Sequence, residues 1–426
     1  MIYNISSRMG REATVATVGI IAEYNPLHNG HVHHFTEAKR ISGADRSVVI
    51  MSGPFTQRGE PAAVSKRART EMALHMGADL VIELPVAYAV QPAEWFAFGA
   101  VSLLEATGVV DSLCFGSEAG TLGVLLPLAG FLAEESSALK EEIRARLSEG
   151  AGFPAAYSAA AAAAWKASFL GEEKPEDAES ILRQPNNSLG LHYLIALRRL
   201  GSAIRPLTVP RTGAGFHDPL EGGSAIASAT AIRRLLQEGG SPAAYMPEYA
   251  LSILERERAA GRGPVLLEDF AGPLRHVLYT RSAAELHTLQ DMNEGLENRL
   301  LRSMRQLDKF TVGGLLQELK SRRYTLTRLQ RLLLHTLLNH SKTELSPSVL
   351  SQGPGYIRVL GFRESGRELL KQMKQTAALS VITSPARCTH PMLERDLQAA
   401  AVFAGAYADP LRSDLYSDYL EPPVRI

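Results

Sequence analysis

The chain has 426 residues, 45% of them hydrophobic, with 45 Lys and Arg against 45 Asp and Glu. That length predicts two or three domains. The balanced charge argues neither for nor against a nucleic-acid partner, so only local clusters count. The two cysteines, Cys114 and Cys388, lie far apart, which excludes a disulfide framework and fits a reducing, cytosolic compartment.

Residues 1–16 are polar, with Arg8 and Arg11 and no apolar stretch, and read as a disordered extension rather than a secretory signal. Val18–Ala22 is an apolar run bounded by a turn, as in a buried strand. His31–Ile41 follows as a helix closed by Gly43, then Ser47–Met51 as a second strand. Ser65–Met76 is helical, with Gly77 as its C-cap. Leu80–Leu84, Gln91–Ala106 and Ser112–Phe115 continue the pattern as strand, helix and strand. Such alternation predicts an α/β fold with parallel βαβ units in a doubly wound sheet.

Residues 125–170 read as an all-helical lid or insertion. A helix from Asn186 to Leu200, a fifth strand Ile204–Val209 and a glycine-rich loop Thr212–Ser224 come next. Ala231–Gln237 is helical, and Gly239-Gly-Ser-Pro242 is the best boundary. The expected organisation is a catalytic unit over 17–240 and a mainly helical region over 241–426. The second region keeps strand candidates at Ile357–Leu360 and Leu379–Thr383, with Gly366–Met373 helical between them. The Ala159–Ala164 run is too short to span a bilayer, so no membrane association is expected.

Ligands of doubly wound sheets bind at the carboxyl ends of the strands. The unusual residues of this chain fall there: Tyr24–His31, Ser52–Glu60 and Gly116–Glu118. His28-Asn29-Gly30-His31 sits between a strand and a helix. The first N–H groups of a helix lack internal partners, and the dipole adds about half a positive charge, so an anion is stabilised there. Two imidazoles three residues apart share one helix face and can donate to phosphate oxygens as a pentacoordinate phosphorus forms. His34 is close enough to line such a site, and His33 reads as exposed. No carboxylate or cysteine at ligand spacing completes a metal site with them.

Ser228-Ala-Thr230-Ala-Ile-Arg233 is a second phosphate cradle, since either hydroxyl can cap the helix and Arg233 adds a charge-assisted donor. A capped helix with surface arginines looks the same, and only pairing with the first motif makes the signal strong. Gln57 and Arg58, bracketed by glycines, can present polar groups to a small acid. Gly116 leaves room for a base against the backbone. Asn186, Asn187 and Arg211 are polar groups at element ends, explained by caps and solvent as well as by a ligand. Arg322, Arg323, Tyr324, Arg328 and Arg331 form a basic helical stretch with one aromatic, suited to an RNA backbone and a stacked base; a solvated face is the alternative. Neither a Gly-x-Ser-x-Gly elbow nor a P-loop occurs.

Longer runs carry a resemblance. Glu23-Tyr-Asn-Pro-Leu-His-Asn-Gly-His31, Met51-Ser-Gly-Pro-Phe-Thr-Gln-Arg-Gly-Glu-Pro61, Asp79-Leu-Val-Ile-Glu-Leu-Pro85 and Phe115-Gly-Ser-Glu118 resemble the bacterial tRNA(Met) cytidine acetate ligase family. Pro185-Asn-Asn-Ser-Leu-Gly190, Arg322–Arg331 and Arg358-Val-Leu-Gly-Phe362 extend the match. The resemblance implies a Rossmann-like nucleotidyltransferase domain and a ligase that uses ATP to make acetyl-adenylate from acetate; Mg²⁺ is expected with the phosphates. It implies transfer of the acetyl group to the wobble cytidine of elongator tRNA(Met); no obligatory protein partner is evident in the sequence. It also implies that Ile21, Ala22, Glu23, Tyr24, Asn25, Pro26, Leu27, His28, Asn29, Gly30, His31, Val32, His33 and His34 wrap ATP. His28 and His31 would stabilise the α-phosphate, and Gly116, Asn186 or Asn187, and Arg211 would complete the site. The residues alone leave two other readings open: a nucleotidyltransferase adenylylating a phosphorylated metabolite, and an RNA-binding protein with a vestigial nucleotide site.

Overall fold

The computed structural model describes residues 15–150, 152–167, 178–211 and 226–426. The extension expected at the N-terminus, but for its last two residues, and the loop expected at 212–224 lie outside the described residues. The strands are β1 (Thr17–Ala22), β2 (Arg46–Ser52), β3 (Leu80–Leu84), β4 (Ser112–Ser117), β5 (Arg205–Pro210), β6 (Ile357–Phe362), β7 (Val381–Ile382) and β8 (Val424–Arg425). They form one sheet in the order β5-β4-β1-β2-β3-β6-β7, with β8 also on β6.

The pairings among β1 to β5 are all parallel. Their strands are covered on both faces and so read as continuous apolar runs. Alternate residues feed opposite cores: Val48 and Ile50 join one cluster, Val49 and Met51 the other. β6 is antiparallel to β3, with a register shift at Val81/Ile82. The sheet therefore runs across residue 240, because the later half of the chain supplies its far edge.

Helix α1 (Asn29–Ser42) begins at the His28 cap and ends at Gly43, and α2 (Lys66–Met76) runs from the Ser65 cap to Gly77. The expected insertion is the helices Leu125–Ala133, Ser137–Ser148 and Phe153–Ala167. Their residues Leu125, Leu128, Leu139, Ala160 and Trp165 belong to the same core cluster as Leu113 of β4. Among the described residues no helix is long and apolar enough to cross a membrane.

The chain moves from β1 outward through β2 and β3, then returns to place β4 on the other side of β1. That reversal opens a crevice at the carboxyl ends of β1 and β4.

Candidate active site

A cavity of about 530 Å³ occupies that crevice. Its wall includes Ile21, Ala22, Glu23, Tyr24, Asn25, His28, Gly30, His31, His33 and His34 from the first crossover. Gln57, Arg58 and Glu60 come from the loop after β2, and Gly116, Asn186, Arg211, Ser228, Thr230 and Arg233 from later elements. Pro26, Leu27, Asn29 and Val32 do not line it. Leu27 is fully buried in the core, Val32 packs against that core, and the Asn29 amide donates to Ala244 O at 3.3 Å.

The two histidines are fixed by the helix they start. His28 Nδ1 accepts from Gly30 N at 3.1 Å, and His31 Nδ1 accepts from His28 N at 3.3 Å. Each Nδ1 is thereby an acceptor, so the neutral tautomer of each ring carries its proton on Nε2. The ring centroids are 3.9 Å apart, and Tyr24 packs edge-on against His31 at 5.0 Å. Burial, then Arg211 and Arg233, pushes the His28 imidazole down to about 3. Burial, with His28, His34 and Arg211 nearby, holds His31 well below its ordinary value. At neutral pH the pair is two Nε2–H donors rather than two cations. An alanine Cβ at Gly30 would lie 2.9 Å from His28 Cε1, so glycine is what lets that ring lie back over the helix.

His34 is also neutral, pushed down to about 4 by burial and Arg211, and its buried Nε2 has no hydrogen-bond partner among the described residues. A Cβ on Gly116 would stand 3.8 Å from the His34 ring and 3.6 Å from Arg211 Cγ. Arg211 Nη1 donates to Asn186 Oδ1 at 3.0 Å. The Asn186 amide donates to Glu118 Oε1 at 2.6 Å, and Glu118 Oε2 accepts from Asn187 N at 2.7 Å. Glu118 thus caps the helix Pro185–Arg199, whose own N-cap Gln184 makes no side-chain cap bond. Of the two asparagines, only Asn186 faces the cavity. Asn187 is buried, with its amide bonded to Gln184 Oε1 at 2.5 Å and Ala119 N at 3.0 Å.

At the opposite end, Ser228 Oγ accepts from Ala231 N at 3.2 Å and starts the helix Ala229–Gln237. Arg233 on that helix pairs with Glu60 at 2.6 Å and donates to Asn25 O at 3.1 Å. Its guanidinium therefore stands at the cleft already engaged, with Thr230 Oγ1 3.5 Å away. Glu23 Oε1 accepts from Gln57 N at 2.7 Å. Burial raises the Glu23 carboxyl, opposed by that hydrogen bond and by Arg233 and Arg58.

Sequence reasoning misses the supports. Arg69 on α2 is fully buried and donates to Glu23 O at 2.8 Å and Ser52 O at 2.9 Å, tying the ends of β1 and β2 together. The helix Leu326–Leu337 lies under the Gln57–Glu60 loop: Arg331 Nη1 donates to Gln57 O at 3.3 Å. Gly59 has φ 77°, and a Cβ there would come within 2.3 Å of Arg331 N. Nothing in a short sequence window signals these long-range bonds, although a capless helix start at Pro185 could have pointed to an acid such as Glu118.

The basic stretch divides. Arg322 and Arg323 are exposed and Arg328 half-buried, while Arg331 is 9% exposed and Tyr324 6%. Tyr324 donates to Glu294 Oε2 at 3.0 Å and lies beneath Arg328, 5.0 Å from its ring, so it is a core residue rather than an open stacking platform. Arg331 is buried and reaches the cleft loop through its bond to Gln57 O.

The HIGH nucleotidyl transferase family model matches residues 15–416. The tRNA(Met) cytidine acetate ligase of Caldanaerobacter subterraneus subsp. tengcongensis is 40% identical over 420 residues, covering 96% of this chain and 99% of that protein. The chain belongs to the tRNA(Met) cytidine acetate ligase family. The Bacillus velezensis family member is 39% identical over 417 residues, covering 96% of this chain and 97% of its own. A crystal structure of Thermotoga maritima TmcAL bound with alpha-thio ATP has a TM-score of 0.87 and 33% identity, covering 96% of this chain and 99% of that one. The α/β sheet with its helical C-terminal region is thus the fold of this ligase family.

Proposed function

We propose that this chain is an ATP-dependent ligase that activates acetate as acetyl-adenylate and acetylates the wobble cytidine of elongator tRNA(Met) to N4-acetylcytidine. The observation that carries the reading is the pair of Nε2–H donors on His28 and His31, fixed by backbone N–H groups at the mouth of α1. Asn186 and Arg211 at one end of the cavity and Ser228, Thr230 and Arg233 at the other leave the span between them for the nucleotide. The likeness to a TmcAL bound with alpha-thio ATP supports ATP as the ligand.

Acetate attacks the α-phosphorus in line, and pyrophosphate departs. The protein's part is orientation and charge stabilisation. Neutral imidazoles suit this task, since they donate hydrogen bonds to the equatorial oxygens and their N–H is too weakly acidic to be given up. Gln57 and Arg58 line the cleft on the β2 side, where they can orient acetate. Mg²⁺ is expected with the triphosphate. Among the described residues no group of three His, Cys, Asp or Glu side chains is placed to hold a metal, so the ion would take its oxygens mainly from phosphate and water. The exposed Arg322 and Arg323 with Arg328 are the part of the basic stretch open to the tRNA backbone. The wobble base must leave its stack to reach the cleft. We place the reaction in the cytoplasm.

Incubation with ATP, labelled acetate and unmodified tRNA, followed by digestion of the RNA, tests the reading. Labelled N4-acetylcytidine is the expected product. A stable dinucleotide formed from a phosphorylated metabolite, with no labelled nucleoside, would overturn it.

A further inference from the structure

We propose that Glu23 is the general base of the acetyl-transfer step, its carboxylate accepting the proton that the cytidine N4 amine loses as it attacks acetyl-adenylate; this rests on the function proposed above. In that step a bond forms between N4 and the acetyl carbon. The bond from that carbon to the bridging phosphate oxygen breaks, and its electron pair leaves on AMP. AMP departs as an anion and needs no proton, whereas N4 must shed one. The step therefore calls for an acceptor on the amine side and none on the leaving-group side.

The cleft narrows the choice. His28 and His31 already use Nδ1 to accept backbone N–H groups, so the nitrogen each offers the ligand is a protonated donor. Among the described residues that line the cavity, the acidic ones are Glu23 and Glu60. Glu60 is held in an ion pair with Arg233 at 2.6 Å. Among the described residues Glu23 accepts a hydrogen bond from Gln57 N to Oε1 at 2.7 Å. His34 is the remaining neutral acceptor of note, and it stands beside Gly116, on the β4 side of β1.

Position then separates the candidates. β1 lies between β4 and β2. The β4 side carries Gly116, Glu118 and the asparagine helix, the end at which we place the base of ATP. Glu23 bonds instead to the loop after β2, beside Arg233 and Arg58, on the side where Gln57 and Arg58 can orient acetate. Arg69 fixes the Glu23 carbonyl, so the side chain projects from an immobilised backbone. Burial favours the proton-holding form of the carboxyl, while Arg58 and Arg233 keep its ionised form accessible.

The test compares two half-reactions in the full-length enzyme, acetate-dependent ATP–pyrophosphate exchange and single-turnover acetyl transfer to tRNA. Glu23→Gln keeps an acceptor for Gln57 N but cannot take a proton. The ratio of transfer to exchange should fall at least ~100-fold in Glu23→Gln and by a smaller factor in Glu23→Asp, which retains a displaced carboxylate. Equal losses in the two half-reactions, or a ratio within about threefold of wild type in both variants, overturn the proposal. A wild-type enzyme that exchanges pyrophosphate but makes no acetylcytidine would instead overturn the proposed function.

Discussion

Gly30→Ala is a sharp probe of the paired imidazoles, because its effects on stability and on catalysis should separate. The new methyl carbon would sit 2.9 Å from His28 Cε1 and 3.1 Å from its Nδ1. The His28 ring must swing away, and it then loses its 3.1 Å bond from Gly30 N. Losing that cap costs about 1 kcal/mol. Replacing glycine by alanine within a helix returns about 1 kcal/mol. The two nearly cancel, so the melting midpoint should move by less than ~3 °C. Catalysis has no such compensation. Removing one preorganised donor from a developing oxyanion lowers turnover by ~10²–10³-fold. Acetate-dependent pyrophosphate exchange should fall by that factor while calorimetry shows an intact fold. Exchange within threefold of wild type would refute the role given to His28, since the ring cannot keep its place beside that methyl group.

Acid should destabilise the protein through the same residues. His28 and His34 are pushed down to about 3 and about 4, mainly by burial. The unfolded chain binds protons at these sites below pH ~6.5, whereas the folded chain refuses them until the lower values. Their contribution is complete above pH 6.5 and is lost as pH falls towards 4, so His34→Gln should flatten the decline of melting temperature over that window. An identical slope in the variant contradicts this. Asn187→Ala should destabilise by about 1–3 kcal/mol in chemical denaturation, because it strips bonds from a buried amide. Asn186→Ala should mainly raise the KM for ATP; the reverse pattern would exchange their roles. Arg322→Ala with Arg323→Ala should weaken tRNA binding and reduce the slope of log K against log salt by roughly 1–2. Tyr324→Leu, which removes the ring, should leave tRNA affinity unchanged, and a large loss with the fold intact would mean that the ring reaches the RNA.

Much of this architecture is legible in the sequence because local chemistry dictates it. Leu80–Leu84 is a strand at the boundaries its apolar run predicts, and Gly43 and Gly77 end α1 and α2 with positive φ. Of the two hydroxyls offered as a cap, Ser228 takes the role, whereas the first helix starts at Asn29, two residues before the expected His31, because the His28 side chain caps it. Other features depend on partners remote in the chain. β6 joins β3 antiparallel, a pairing that neither strand's composition encodes. Val86–Ala89 forms a short separate helix before Ala93–Thr107, and its wholly buried side chains show no amphipathic period to read. Tyr324 and Arg331 look like a solvated basic face until Glu294 and the Gln57 carbonyl fold against them. The role of Arg69 has no mark in the sequence, since its partners are backbone carbonyls, which carry no side-chain signature.

A crystal structure of this chain with a non-hydrolysable ATP analogue tests the central claim most directly. The account predicts that the α-phosphate oxygens lie about 2.7–3.2 Å from Nε2 of both His28 and His31. A nucleotide whose α-phosphate lies beyond hydrogen-bond reach of both rings would contradict it.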